Sequence, residues 1–184
     1  MSAEAAKVRL SALGFHDEDA GLRHIEALTS GTSRAVRIQT ALMPAMLAWL
    51  ADGPSPDHGL LAFRQVSEAL GESPWYLRAL RDEGAMAQRL AVVLSTSRYA
   101  VDVLTRAPET VQVLVDDDLT PLSREDLARQ MNAVARRHHD VEEAVGAIRA
   151  VRRRELFRIL VADILNVTGT VSYTHLTLPT ILLV

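Results

Sequence analysis

Two Asp-x-Asp pairs, Asp17 with Asp19 and Asp116 with Asp118, have the residue type and spacing that hold divalent cations against phosphate. In metal-dependent phosphoryl or nucleotidyl transfer, paired carboxylates fix two hydrated magnesium ions on adjoining phosphate oxygens. That chemistry needs a rigid strand under the pair. Asp17 and Asp19 instead stand where a helix is predicted to begin, a place where carboxylates cap free N–H groups and favour the helix dipole. Asp116-Asp117-Asp118 reads as a polar connector. Both pairs are therefore given structural roles, and no residue is assigned to catalysis, cofactor binding or metal binding.

The histidines, His16, His24, His58, His138, His139 and His175, lack metal-ligand spacing such as H-E-x-x-H. His138-His139 beside Arg136 and Arg137 reads as a solvated helix end. Neither a glycine-rich phosphate loop nor a nucleophile elbow occurs. With no cysteine in the chain, disulfides, thiolate zinc sites and cysteine nucleophiles are excluded.

The densest basic cluster, Arg149, Arg152, Arg153, Arg154 and Arg158, is the candidate interaction surface, suited to phosphate, RNA or an acidic protein face. The competing assignment is a solvated helix face, with Glu155 within reach of several of these arginines. Residues 68–81 (EALGESPWYLRALR) have the helix, glycine turn, helix spacing of a DNA-reading helix-turn-helix, with Arg78 and Arg81 as groove contacts. Against that stands a net charge of -3, with 20 Lys plus Arg against 23 Asp plus Glu. Trp75, Leu77 and Leu80 also fit a packed helical corner, so nucleic-acid binding is the minor reading.

The elements that position these groups are helices. Of 184 residues 48% are hydrophobic, only 4% are aromatic and nine are glycine, a balance that disfavours sandwiches and barrels. The fold class is all-α, an array of about ten short to medium helices. Gly14 is predicted to stop the first; Asp17 to cap the second and Ser123 to open another with a capping-box variant; Ser33 to open the third and Asp140 to begin the last; and Pro44 to kink or break the third. Ser73 and Pro74 read as an N-cap and first-turn proline, and Pro108 to Val115 as a further short helix. In the last helix Val141, Val145, Ile148 and Val151 form one apolar stripe, with Glu155 among the residues placed outside. No run of about 18 apolar residues and no apolar signal core is present, so no membrane role and a cytoplasmic location are expected.

The text changes abruptly at its end. VSYTHLTLPTILLV, residues 171–184, has no charge and no helical periodicity. VSYTHL resembles a translation of GTC TCT TAT ACA CAT CT, a transposon end used in tagmentation libraries, and LTLPT fits the adapter bases that follow. This tail is expected to be translated sequencing adapter, non-native to the fold, with the gene cut near Thr170; the alternative is a short C-terminal strand. The organisation predicted is a helical region over 1–115, an acidic connector over 116–122 and a helical segment over 123–170.

LSALGFHDEDAGLRHIEALTSG, LLAFRQVSEALGESPWYLRALRDEG, AVVLSTSRYAVDVLTRAPE and AIRAVRRRELFRILVADIL, in this order, resemble the bifunctional glutamine synthetase adenylyltransferase and deadenylase family in its actinobacterial form. The resemblance covers nearly all of residues 8–167. It implies a fragment of a chain in which two nucleotidyltransferase domains, using ATP and Mg2+, add AMP to a tyrosine of glutamine synthetase and remove it by phosphorolysis. This piece would be the helical scaffold between them, with 123–170 leading into a missing C-terminal nucleotidyltransferase domain. Glutamine synthetase and the P-II regulatory protein would be its partners. The family's Gly-Ser and Asp-x-Asp strand is matched by no residue here, so the fragment alone is expected to be inactive. The alternative is a freestanding helical binding module, with the helix-turn-helix over 68–81 as its sharpest form.

Overall fold

The helix ends follow from a few local residues, which the computed structural model, describing residues 3–71 and 73–166, shows in detail. Helix α1 (Ala3–Ala12) stops at Gly14, whose φ of +91° is left-handed backbone that a side chain would strain. The Phe15 N–H donates to the Leu10 carbonyl at 3.1 Å and the Gly14 N–H to Ser11 at 2.9 Å, a Schellman closure. Phe15 and Leu10, both 2% exposed, supply its hydrophobic contact. Asp17 then caps α2 (Glu18–Thr29), accepting from the Ala20 N–H at 2.8 Å. Ser33 caps α3 (Arg34–Ala51) through Val36, and Ser97 caps α7 (Arg98–Arg106) through Ala100.

Pro44 neither breaks nor divides α3, which runs as one helix of 18 residues. Pro44 and Thr40, whose carbonyl loses its usual donor, both lie on the exposed flank, where the lost bond is least costly. The remaining elements are α4 (Pro56–Leu70), α5 (Pro74–Asp82), α6 (Gly84–Thr96), a 3-10 helix (Pro108–Val115), α8 (Arg124–Ala135) and α9 (Val141–Ile164). All ten helical elements lie among the described residues, where no strand occurs, so the fold is all-α. Pro108–Val115 is thus wound more tightly than an α-helix. Its Thr110, Val111, Val113 and Leu114 are buried, and the Arg89 guanidinium holds its last turn by donating to the Leu114 carbonyl at 3.0 Å.

The chain forms two compact units that divide between Val115 and Asp116. In the first, α4 lies at the centre, packed on α6, α2 and α3. Leu50, Leu60, Phe63, Val66 and Leu90 are fully buried there. The Cβ that a side chain at Gly59 would require falls 2.7 Å from Leu50 Cδ2 and 3.1 Å from Ser95 Cα, so α4 and α6 touch at backbone distance. At the α5 corner, Tyr76 rather than Trp75 is the fully buried aromatic ring, and its hydroxyl lies 3.0 Å from the buried Ser67 hydroxyl. Burial raises the Tyr76 pKa far above its ordinary value, with the Ser67 bond opposing more weakly. Ser73 occupies the N-cap position of α5, as the sequence predicts, but its side chain makes no capping bond among the described residues.

One carboxylate ties the first turn to the centre. Asp57, in the first turn of α4, accepts the His16 N–H at 3.0 Å and the Asp17 N–H at 3.1 Å. Burial pushes the Asp57 pKa up, but these two backbone bonds and the His16 side chain outweigh it, and the net shift is downward. The stabilisation is therefore present above the ordinary aspartate range near 3.8 and is lost as pH falls through the depressed folded value. Asp57→Ala is expected to lower stability by about 2 kcal/mol at pH 7 and to flatten the acid limb of the stability curve. Urea unfolding of both chains between neutral and strongly acidic pH checks this, and parallel curves would refute it.

The second unit is built on α8 packed against α9. Ser123 and Asp126 cap α8 reciprocally: the Asp126 N–H donates to Ser123 Oγ at 3.1 Å and the Ser123 hydroxyl donates to Asp126 Oδ2 at 2.6 Å. Asp140 caps α9 by accepting from the Glu143 N–H at 2.9 Å. Residues 167–184, which include the tail over 171–184 expected to be translated adapter and its His175, lie outside the described residues.

Candidate functional site

Helix α9 carries the whole arginine cluster, and its 3.6-residue period divides the cluster into distinct environments. Arg149 and Arg153, four residues apart, are exposed and make no ion pair or side-chain hydrogen bond among the described residues. Arg152 is half-buried, and Arg154 reaches Asp116 Oδ2 at 3.8 Å with its side chain 46% exposed.

Arg158 departs from the expected open surface. Its side chain is only 12% exposed; Nη2 donates to Asp116 Oδ2 at 2.5 Å and Nη1 to the Asp118 carbonyl at 2.9 Å. Nε faces Glu155 Oε2 at 3.5 Å. Glu155, which helical spacing placed outside, is in fact 5% exposed, and its Oε1 accepts the Leu122 N–H at 2.6 Å. The reason is tertiary: the 116–122 segment lies along this face of α9, and its polar groups need buried partners. Burial raises the Glu155 pKa, and the Leu122 N–H, Arg158 and Arg154 pull it only partly back. The first apolar stripe of α9 also differs from expectation, since Val141 is 76% and Val145 39% exposed. Leu122, Asp126, Gln130, Val151, Arg154, Glu155 and Arg158 line a cleft of about 340 Å3 between α8 and α9. Its charges neutralise one another, so it offers no strong field to an ion of either sign.

The Asp-x-Asp pairs do not share a ligand. Asp17 caps α2, while Asp19 pairs with Lys7 at 2.6 Å, which lowers the carboxyl pKa chiefly through that hydrogen bond. Asp116 serves Arg158, and Asp118 accepts the Thr120 N–H at 2.8 Å. Among the described residues no three His, Asp or Glu side chains converge as metal ligands. His24 has its Nδ1 3.2 Å from Arg64; burial, then Arg64 and Arg23, lower its pKa, which favours the neutral ring.

At the proposed helix-turn-helix, Arg78 Nε donates to the Pro74 carbonyl of its own helix at 3.3 Å, and Arg81 binds Asp82 through two bonds of 2.6 and 2.7 Å. Sequence reasoning did not find the Asp57 clip or a three-arginine cleft between α3 and α5, because each joins residues about 40 positions apart. No described helix is long and apolar enough to cross a membrane.

The glutamate-ammonia ligase adenylyltransferase (GlnE) family matches residues 87–178. The chain is also 99% identical over 169 residues to the bifunctional glutamine synthetase adenylyltransferase/adenylyl-removing enzyme of Cutibacterium acnes, covering 92% of this chain. Enzymes of the same description from Streptomyces coelicolor and Mycobacterium tuberculosis are 54% identical over 173 residues and 44% identical over 170 residues, covering 92% and 90% of this chain. The chain spans 17% of the length of each of these relatives. No solved structure matches it.

Proposed function

The chain belongs to the glutamate-ammonia ligase adenylyltransferase family, and from that membership we propose that it is the helical scaffold between two nucleotidyltransferase domains of a larger enzyme. That enzyme adenylylates a tyrosine of glutamine synthetase with ATP and removes the AMP by phosphorolysis, in the cytoplasm, in control of nitrogen assimilation. The observation that carries the reading is 99% identity over 169 residues with a relative of that description. It is supported by the four carboxylates of the Asp-x-Asp pairs, each already used as a cap, an ion pair or a turn. They do not fit a magnesium nucleotide, so no transfer step is derived from this chain, and ATP and Mg2+ are assigned to domains outside it.

What the chain supplies is stiffness. Within each unit the helices are closed by side-chain caps, and in the first unit α4 and α6 cross at backbone distance, so each unit resists bending and offers a stiff helical support to the domain next to it. Within the parent they also offer faces to glutamine synthetase or the P-II regulatory protein. The purified 184-residue chain, incubated with radiolabelled ATP, Mg2+ and glutamine synthetase, is expected to incorporate no AMP, while the full-length Cutibacterium acnes enzyme does so. Incorporation by the short chain overturns the assignment. Deleting the stretch equivalent to residues 140–167 from the full-length enzyme is expected to impair both activities and partner binding; unchanged activities and binding would remove the scaffold role.

A further inference from the structure

A cleft of about 470 Å3 opens between α3 and α5, rimmed by Arg34, Arg37 and Arg81 and floored by Ile38, Leu42 and Leu80. Arg34 and Arg37 are both exposed and neither makes an ion pair or side-chain hydrogen bond among the described residues, although Arg34 is near enough to Asp82 to act on it through space. Arg81 is matched by Asp82, so the rim carries an excess of two positive charges over a single acid. Three residues apart on one helix, Arg34 and Arg37 repel each other, and the first turn of α3 holds no acidic side chain to offset them. In isolation this arrangement costs stability. An anionic occupant offsets this repulsion with its attraction to Arg34, Arg37 and Arg81, which exceeds its repulsion from the single carboxylate of Asp82.

We propose that this cleft is a docking site for an acidic peptide segment of a partner protein, one that places an aliphatic side chain between carboxylates. The floor decides the class of occupant. Ile38, Leu42 and Leu80 present aliphatic surface only, with no aromatic face on which to stack a base and no donor or acceptor to read its edge. A leucine-sized side chain fills such a floor, and flanking carboxylates meet the guanidinium forks, which bind them in paired hydrogen bonds. The site uses none of the α9 arginines and does not depend on the scaffold reading.

The test is fluorescence anisotropy of the 184-residue chain with a labelled peptide of sequence EELEELEE in low-salt buffer. Saturable binding that weakens as salt rises is expected, with about tenfold loss for Arg34→Ala/Arg37→Ala and loss of binding for the QQLQQLQQ peptide. Leu42→Ser is expected to weaken binding about threefold, which gives a second readout on the floor. Arg149→Ala/Arg153→Ala is expected to leave affinity unchanged. The proposal fails if EELEELEE does not bind saturably, if the Arg34/Arg37 variant binds within about twofold of the parent, or if the α9 variant loses binding instead. It also fails if a leucine-free glutamate peptide or inorganic tripolyphosphate binds as tightly as EELEELEE, because the cleft is then a general anion site.

Discussion

Gly59→Val is expected to lower the stability of the first unit by about 3 kcal/mol, the upper part of the range for overpacked cores. Helix propensity points the other way, since glycine inside a helix is the poorer residue by several tenths of a kcal/mol against valine. The contact geometry decides the sign. A Cβ at this position lies 3.1 Å from Ser95 Cα, and backbone cannot rotate aside as Leu50 Cδ2 can at 2.7 Å. Ser95 is itself fixed: it is 1% exposed and its hydroxyl donates to the Ala91 carbonyl at 2.9 Å. Valine therefore forces α4 and α6 apart, opening the contacts of Leu60, Phe63 and Leu90. Equilibrium urea unfolding checks the number. Gly59→Ala is expected to lie between the two chains, and a Gly59→Val chain as stable as the parent would show that the helices do not cross this closely.

Glu155→Ala is expected to destabilise the second unit by about 1 kcal/mol, because it leaves the part-buried Leu122 N–H without its acceptor. Glu155→Gln separates hydrogen bonding from charge. Its amide oxygen still accepts from Leu122 and the carboxylate charge that burial disfavours is gone, while its NH2 replaces the Oε2 that faces Arg158 Nε at 3.5 Å; Arg158 keeps Asp116 as its counter-ion. The Glu155→Gln chain is thus expected to hold stability near that of the parent at pH 7. The sign for pH follows from the raised pKa. The folded state holds the Glu155 proton to higher pH than the unfolded chain, so stability declines as pH rises from the ordinary glutamate value near 4.5 through the folded one. That decline is expected to vanish in Glu155→Gln. Hydrogen exchange at the Leu122 amide, measured across this range in the three chains, reads it directly, and equal protection in Glu155→Ala would refute the assignment.

Local chemistry explains which features were legible in the sequence. Gly14, Asp17, Ser33, Ser123 and Asp140 act on backbone within three or four residues, so their roles can be read from the immediate text. Tyr76 and Glu155 could not be read that way. Trp75 and Tyr76 are neighbours of similar apolar area, and the buried Ser67 hydroxyl nine residues earlier goes with Tyr76 in the core. Glu155 looks like a solvent residue until the 116–122 segment is seen to bring it an amide and Arg158 an aspartate. The arginine cluster was visible as composition, but its division into exposed Arg149 and Arg153 and an engaged Arg158 depends on that same segment. Pro44 reads as a kink or break in the sequence, yet α3 continues through it as one helix, because which flank of α3 faces water is set by tertiary packing and not by the proline.

The Asp57 clip has a thermodynamic meaning of its own. By binding the His16 and Asp17 amides across 41 and 40 positions, it closes a ring that spans α2 and α3. Ring closure of that length reduces the freedom of the chain only logarithmically with its size, so an early commitment there restricts much of the unit for little additional entropy. In an oxidising compartment a disulfide often performs this closure, and its opening is governed by electrons. This cysteine-free chain uses a carboxylate, and its clasp is opened by protons. Redox conditions leave it shut, while acid releases the first turn from the centre of the unit.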